Sequence, residues 1–550
     1  MPQGVRTRNR TGCLACRQRR IRCDEQRPSC QRCTTSSKSC SYVPVIPLRD
    51  RRMLQGNALP PGQRAPWASA NPPTMTSRAL VGSTAMDPFD TLPLKMPFKS
   101  RELYHYFHQT GSVFAVAPEE PKYDCIALAS QDEHSLRSMI LIAGIHYSWN
   151  TGKMEAYESA FLFHKLESIR IINTWLTSFN SKRFVLCVRQ ILTICLAEAC
   201  LGNITAAETH LNGIMALFDS REQTDTASNS IDDIEDELAD RYLLLTSCFV
   251  LALKSRLEDF ILFRATQGIA PNHDPLTLMK TWHELEYGGL VTRLKAMYMF
   301  PHFFSLPPAN RRPNMIDAVS IIDCLRTITE TVDLVHRSPD TEHADQVWNN
   351  GGPTRLMLLL VTSHVESLTK DEDNTDNKTR TPTYKEENGR LPSSWSGLAA
   401  AAELYMHSVL TIMNAGAPLE CRLLYRICLV IKRDLEQTRV DLRENREHQR
   451  SSQSQYLWFW KVSTGLVALA RSQYQHMTTG MKCSCEVDLE ALHAWFRGCA
   501  REWSVITEMV EWDIVRRVLV GVAWPATLSK DGEGKDHAMD AWAQGISKSI

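Results

Sequence analysis

From residue 98 onward, hydrophobic positions recur three and four apart in long stretches separated by polar breaks, while strand-like alternation with hairpin turns is scarce. The body over 98–528 is therefore predicted to be all-α, each helix burying one apolar stripe. Val188, Ile191, Ile194, Cys195, Ala199 and Leu201 predict one helix, which ends at Gly202-Asn203. Ala206, His210, Leu211, Ile214 and Leu217 predict a second helix after that turn. The longest apolar stretch, Leu243 to Leu253 with its neighbours, falls well short of the ~20 residues that a bilayer span requires. No transmembrane segment and no membrane partner are expected.

The helical pattern is absent before residue 98. From Val43 to Ser100 the chain holds 10 of its 26 prolines, with the pairs Pro60-Pro61 and Pro72-Pro73, so 43–97 reads as an extended linker. It shows no sustained heptad, and coiled-coil dimerisation there is not expected. Arg49, Arg51 and Arg52 in this linker are candidates for phosphate contacts or nuclear import, or are simply solvated. Residues 529–550 read as a C-terminal tail. Two polar breaks interrupt the body: Asp219 to Asp240, with nine acidic residues against Arg221, and Lys370 to Ser394. Both are predicted to be surface loops. Ile231, Ile234 and Leu238 make the acidic one a candidate activation segment as well.

At 550 residues, with 43% hydrophobic and 23% charged residues, the chain is long enough for at least one large core and has the composition of a folded protein. Its 62 basic residues equal its 62 acidic ones, but the balance conceals an asymmetry. Residues 1–42 carry nine arginines and Lys38 against Asp24 and Glu25 alone, so a basic head precedes a mildly acidic body. A basic head of this kind suits an anion, and nucleic acid is the first candidate.

The cysteines separate the same segment. Of 17, six lie between Cys13 and Cys40 and eleven are scattered from Cys125 to Cys499. The opening MPQGVRTRNR has no apolar signal region and the cysteine total is odd, so a reducing compartment is expected rather than a secreted disulfide framework. Cys13, Cys16, Cys23, Cys30, Cys33 and Cys40 repeat C-x(2)-C-x(6)-C twice. Structural zinc takes four ligands in a closed tetrahedron, and C-x(2)-C chelates from one tight turn. Six thiolates fill two Zn2+ sites only if two of them bridge both ions. About thirty residues cannot stabilise themselves by burial alone, so metal must supply folding free energy, on the order of 10 kcal/mol. The metal-free head is expected to be unfolded.

Between Cys16 and Cys23 lies RQRRIR; the equivalent loop between Cys33 and Cys40 is TTSSKS. The first half should face nucleic acid. On a short helix Arg17 and Arg20 share one side and Arg19 and Arg22 another, so one pair can enter a groove while the other flanks phosphates. Arginine suits both tasks, because its planar fork can grip guanine O6 and N7 or clamp a phosphate. Pro28, in the loop DEQRPS, is expected to narrow the turn that brings Cys23 and Cys30 together.

The stretch TGCLACRQRRIRCDEQRPSCQRCTTSSKSC resembles the fungal binuclear zinc-cluster transcription factors at every cysteine, in the basic run and in the loop proline. That resemblance covers a domain over 13–42, preceded by a basic arm over 1–12. It implies that Cys13 and Cys30 bridge, that Cys16 and Cys23 complete one zinc, and that Cys33 and Cys40 complete the other. It implies further that Arg20 reads bases in CGG-like triplets, with Arg19 a second candidate, although the family commonly has lysine at the position of Arg20. The pair ILTICLAEACLGNITAAETHLNGIMALF resembles part of the fungal-specific transcription factor regulatory domain.

The expectation is a small two-zinc cluster domain followed by a large all-α regulatory domain. The protein would be a nuclear, sequence-specific double-stranded DNA-binding regulator of RNA polymerase II promoters, whose body meets coactivators, corepressors or a small-molecule effector. RNA binding is the second reading, disfavoured because no stacking aromatics interleave with the arginines. An enzyme with an appended zinc module is the third. His283-Glu284-Leu285-Glu286-Tyr287 begins like a zinc-protease helix but has tyrosine where the second histidine would stand, and neither a P-loop nor a G-x-S-x-G elbow is present. Cys483 and Cys485 with His493, and His105 with His108, read as packed or exposed side chains rather than ligands.

Overall fold

The computed structural model describes residues 13–19, 21, 23–42, 92–113, 125–177, 183–224, 234–266, 286, 288–307, 312–337, 346–369, 390–413, 419–444, 452–479, 485–526 and 537–546. Two compact units divide the chain, one within Met1–Val81 and one within Gly82–Ile550. The first contains two short helices, α1 (Leu14–Gln18) and α2 (Gln31–Thr35).

The second unit is helical almost throughout its described residues. Its first half runs through α3 (Ser100–Val113), α4 (Cys125–Ala129), α5 (Glu133–Thr151), α6 (Glu158–Thr177), α7 (Phe184–Cys200), α8 (Ile204–Thr224) and α9 (Ile234–Thr266). The middle comprises α10 (Gly289–Tyr298), α11 (Pro301–Phe304), α12 (Val319–Arg337), α13 (Gln346–Asn349) and α14 (Gly352–Thr369). It ends with α15 (Trp395–Leu404), which continues into a π-helical turn (Tyr405–Val409), then α16 (Cys421–Glu444), α17 (Ser452–Thr479), α18 (Glu486–Thr507), α19 (Trp512–Val522) and α20 (His537–Ile546). One minimal antiparallel ladder, β1 (Ile316–Asp317) with β2 (Pro392–Ser393), pairs Ile316 with Ser393 and Asp317 with Pro392.

Local chemistry sets the helix ends. The Asp132 carboxylate caps α5 by accepting from His134 N at 2.8 Å and Ser135 N at 2.9 Å, and Gly152 closes it at φ 74°. The turn between α7 and α8 falls at Gly202, φ 83°, as the sequence pattern predicts. Almost every residue of α7 is buried, because α5, α6, α8 and α9 pack around it. α17 has the same position in the second half, among α15, α16, α18, α19 and α20. There Phe459 stacks on Trp503 with ring centroids 3.8 Å apart, and Trp460 Nε1 donates to Ala523 O at 2.7 Å. One continuous apolar core runs from Leu94 to Trp542.

Two expectations need correction. The body extends beyond 98–528 at both ends: Leu94 is buried in the core with Leu92 and Met96 against it, and Trp542 of α20, within the stretch read as a tail, is buried beside Phe459 and Trp503. The acidic stretch 219–240 is not a surface loop where it is described. Residues 219–224 end α8 and 234–240 begin α9; Asp236 pairs with Arg221, and Asp240 is buried between Arg426 and Arg433 at 2.7 and 2.9 Å. Ile231 and residues 225–233 lie outside the described residues, as do 370–389 of the second polar break. Leu243 to Leu253 is part of the buried α9, and among the described residues no helix is long and apolar enough to cross a membrane.

Candidate metal centre and nucleic-acid interface

The head is built twice from one pattern, displaced by 17 residues. Cys13 precedes α1 as Cys30 precedes α2; Cys16 and Cys33 lie inside the helices; Cys23 and Cys40 lie on the extended segments that follow. The hydrogen bonds repeat with the same displacement. Cys16 N donates to Cys13 Sγ and Cys33 N to Cys30 Sγ, both at 3.4 Å. Cys13 N donates to Cys23 Sγ at 3.4 Å, and Cys30 N to Cys40 Sγ at 3.3 Å. Each helix is too short to stand alone, and what orders it is this web of sulfur contacts.

The sulfurs form two groups of four, Cys13, Cys16, Cys23, Cys30 and Cys13, Cys30, Cys33, Cys40, each with its sulfur atoms within 4.8 Å of one another. Cys13 and Cys30 belong to both. Sγ of Cys13 lies 3.6 Å from those of Cys30 and Cys33, and Sγ of Cys16 lies 3.7 Å from that of Cys30. These separations are far too long for disulfides and close to the ~3.8 Å edge of a tetrahedron with Zn–S bonds of about 2.3 Å. The donor set points to a cation as well. Burial, and then the sulfurs of Cys13 and Cys30, push the Cys16 thiol up to about 12, and the Cys30 sulfur, with burial behind it, pushes Cys33 up. Thiolates so crowded need positive charge between them, and two divalent ions fit both their number and their spacing.

Residues around the cluster complete it. The Asp24 carboxylate accepts from Gln31 N at 2.9 Å, which lowers its pKa and ties the end of the first half to the start of α2. Tyr42 Oη donates to Gln26 O at 2.9 Å and lies 3.7 Å from Cys23 Sγ, while Arg27 lies over its ring at 5.3 Å. Ile21, the apolar residue within the basic run, packs against the cysteines. Sequence reasoning missed all three; an apolar residue inside a basic run and an aromatic two positions past the last cysteine were the available signals. The Arg27-Pro28 bond in the connecting loop is cis.

Of the four arginines in the basic run, Arg19 is exposed and its Nη1 donates to Ser36 Oγ at 3.2 Å, across to the position 17 residues on. The backbone of Arg17 belongs to α1; its side chain, and Arg20 and Arg22 entirely, lie outside the described residues. Elsewhere, Cys485 and His493 are buried and Cys483 lies outside the described residues; His105 is buried and His108 exposed. Of the His283–Tyr287 stretch only Glu286 is described, paired with Arg293 in the interior. Among the described residues the cysteine groups of the head are the ones arranged for a metal.

Comparison with known proteins bears on the same segment. The chain is 43% identical over 63 residues to white-opaque regulator 2 of Candida albicans, 47% over 45 to the aspercryptin biosynthesis cluster-specific transcription regulator atnN of Emericella nidulans, and 47% over 50 to transcription activator AMTR1 of Alternaria alternata. These stretches cover 11%, 8% and 9% of this chain and only 14%, 7% and 6% of the relatives. No solved structure matches. Residues 11–47 match the fungal Zn(2)-Cys(6) binuclear cluster domain, and with the two sulfur groups sharing Cys13 and Cys30, the head of this chain is a domain of that family.

Proposed function

We propose that this protein is a zinc-dependent, sequence-specific transcription factor that reads CGG-like sites in double-stranded DNA at RNA polymerase II promoters. The observation that carries the reading is the pair of sulfur groups sharing Cys13 and Cys30, which joins a half with five arginines to one that carries only Arg32 and Lys38. In this reading Cys13 and Cys30 bridge two zincs, Cys16 and Cys23 complete one and Cys33 and Cys40 the other. Bound zinc supplies four positive charges among six thiolates and fixes α1 rigidly enough to enter a major groove. Arg20 reads guanine, and Arg17, Arg19 and Arg22 hold base edges and phosphates; the Arg19–Ser36 bond supports a positioning role for Arg19 that links the halves.

The helical body acts as the regulatory domain and carries no catalytic role; it receives coactivators, corepressors or an effector, and the protein works in the nucleus. That one relative is named a cluster-specific transcription regulator and another a transcription activator supports a pathway- or gene-cluster-specific role. Gel-shift titrations of the zinc-loaded chain test the reading. Binding to a duplex with a CGG triplet should exceed binding to scrambled DNA, fall steeply with salt and vanish on chelation. Arg20→Ala should cost ~1–3 kcal/mol more on the CGG-like duplex than on random DNA. Equal affinity for both duplexes in the unmodified protein would refute sequence-specific reading.

A further inference from the structure

In the middle of the helical body, α9, α14 and α15 enclose a cleft of about 70 Å³, part of it open to solvent. Its walls are almost wholly apolar, formed by Leu245, Phe249, Trp348, Met357, Ala402 and Met406 among others. The polar groups of the wall are committed elsewhere: Arg293 pairs with Glu286 and donates to Thr354 Oγ1 at 2.7 Å, and Trp395 Nε1 donates to Leu360 O at 2.7 Å.

Glu403 and the Cys248 thiol near it, which burial and the Glu403 charge both push up, are the exceptions. Glu403 lines the cleft, is 2% exposed, and neither carboxyl oxygen has a hydrogen-bond partner. The neighbouring Ser247 hydroxyl donates to Leu244 O at 3.2 Å and also faces this carboxyl, lowering its pKa against the burial that raises it. An unpartnered buried carboxyl is costly, and a fold with apolar residues on every side had no local need of one. Burial pushes this carboxyl up to about 8, so at neutral pH it is held as the acid, able to donate one hydrogen bond and accept another. Directly after it the helix widens into the π-helical turn Tyr405–Val409, which contributes Met406 to the wall. Single π turns of this kind are frequent at functional sites.

We propose that this cleft binds a small, mostly apolar molecule with one neutral hydroxyl head, which pairs with the Glu403 carboxyl. A hydroxyl both donates and accepts, matching a neutral acid group. An anionic head would be desolvated against a wall without a free cation, and a cationic head would require the carboxyl to ionise against its burial. The site stands independently of the DNA-reading proposal, because ligand binding to the body is read without DNA.

The experiment uses the full zinc-loaded chain and three fluorescent probes of one shape: 2-naphthol with a neutral hydroxyl, naphthalene with none, and 2-naphthoate with a negative charge. 2-Naphthol should bind saturably and about tenfold more tightly than either of the others, the ratio expected for one buried hydrogen bond. Glu403→Leu should reduce 2-naphthol to the level of naphthalene without lowering the melting temperature, since it removes an unpaired polar group. Glu403→Gln, which keeps a donor and an acceptor, should hold affinity within about threefold, and Ala252→Phe, which fills the cleft, should abolish binding of both 2-naphthol and naphthalene. Absence of saturable 2-naphthol binding, equal binding of 2-naphthoate, or unchanged affinity in Glu403→Leu would overturn the proposal. A melting temperature lowered equally in Glu403→Leu and Glu403→Gln would assign the carboxyl to the fold and overturn it too.

Discussion

Tyr42 shows how one side chain outside a ligand set can decide how long the set holds. Its hydroxyl reaches back to Gln26 O and lies near the Cys23 sulfur, and Arg27 covers its ring, so it ties the segment after Cys40 to the first half. Tyr42→Phe removes that hydrogen bond and leaves the ring. It should cost about 1 kcal/mol, read as a roughly fivefold faster loss of zinc to a chromophoric chelator, with full stoichiometry at the start. An unchanged rate would make the hydroxyl incidental. Cys30 and Cys40 separate more sharply. If Cys30 is shared between two ions, Cys30→Ala should leave a purified chain with no zinc, whereas Cys40→Ala, which removes a ligand from one group only, should retain about one. Equal zinc contents in the two variants would contradict the shared assignment. Of these residues the cysteines were fully legible, because ligand spacing is a local property written in the chain. Tyr42 and Asp24 act on backbone groups of other segments, which no spacing announces.

Among the elements, β2, α15, α16 and α17 meet at a buried charge network. Lys461 Nζ donates to Asp434 Oδ2 at 2.6 Å and to Ser393 Oγ at 2.8 Å, and the Ser394 hydroxyl donates to Asp434 Oδ1 at 2.6 Å while it caps α15 through Gly397 N at 3.0 Å. Gly397 is required there, since a Cβ would lie 2.2 Å from Asp434 Cγ. Lys461→Met would strand the Asp434 carboxylate in the interior, and urea unfolding should show a loss of about 3–5 kcal/mol. A loss below about 1 kcal/mol would mean that water replaces the ammonium. The same contrast explains what the sequence disclosed about elements. The α7–α8 pair was legible because its apolar period and its Gly202 turn are local. The start of α9 was misread because a dense acidic run resembles a solvated loop, while the partners that fold Asp240 inward, Arg426 and Arg433, lie 186 and 193 residues away. α20 was missed for a different reason: polar residues surround a short helix whose Ala538, Ala541 and Trp542 carry the apolar spacing.

Across the whole body, buried titratable groups set a stability profile with two opposed limbs. Burial holds His146 down to about 3 and His164, His407 and His493 down to about 4, with Arg137, Arg471 and Arg497 adding to the last three in turn. Below pH 6.5 the unfolded chain takes up protons that these folded imidazoles refuse, so stability falls as pH drops from 6.5 toward 4. Glu403 works in the opposite sense. Its unfolded carboxyl releases a proton above about 4.5, while the folded one keeps it to about 8, so it costs stability as pH rises through that interval. Each group contributes on the order of 1 kcal/mol per pH unit within its window. These histidines, joined by the buried His364, outweigh one carboxyl between 4.5 and 6.5, and from 6.5 to 8 the carboxyl acts without them, which places the maximum near pH 6.5. Calorimetry of the zinc-loaded chain should therefore show a melting temperature that climbs steeply from pH 4.5 to 6.5 and declines gently toward 8. Glu403→Gln should flatten the second limb and leave the first intact. A melting temperature that keeps rising to pH 8 would show that Glu403 is ionised in the folded protein, and an acid limb without slope would show that water reaches the histidines.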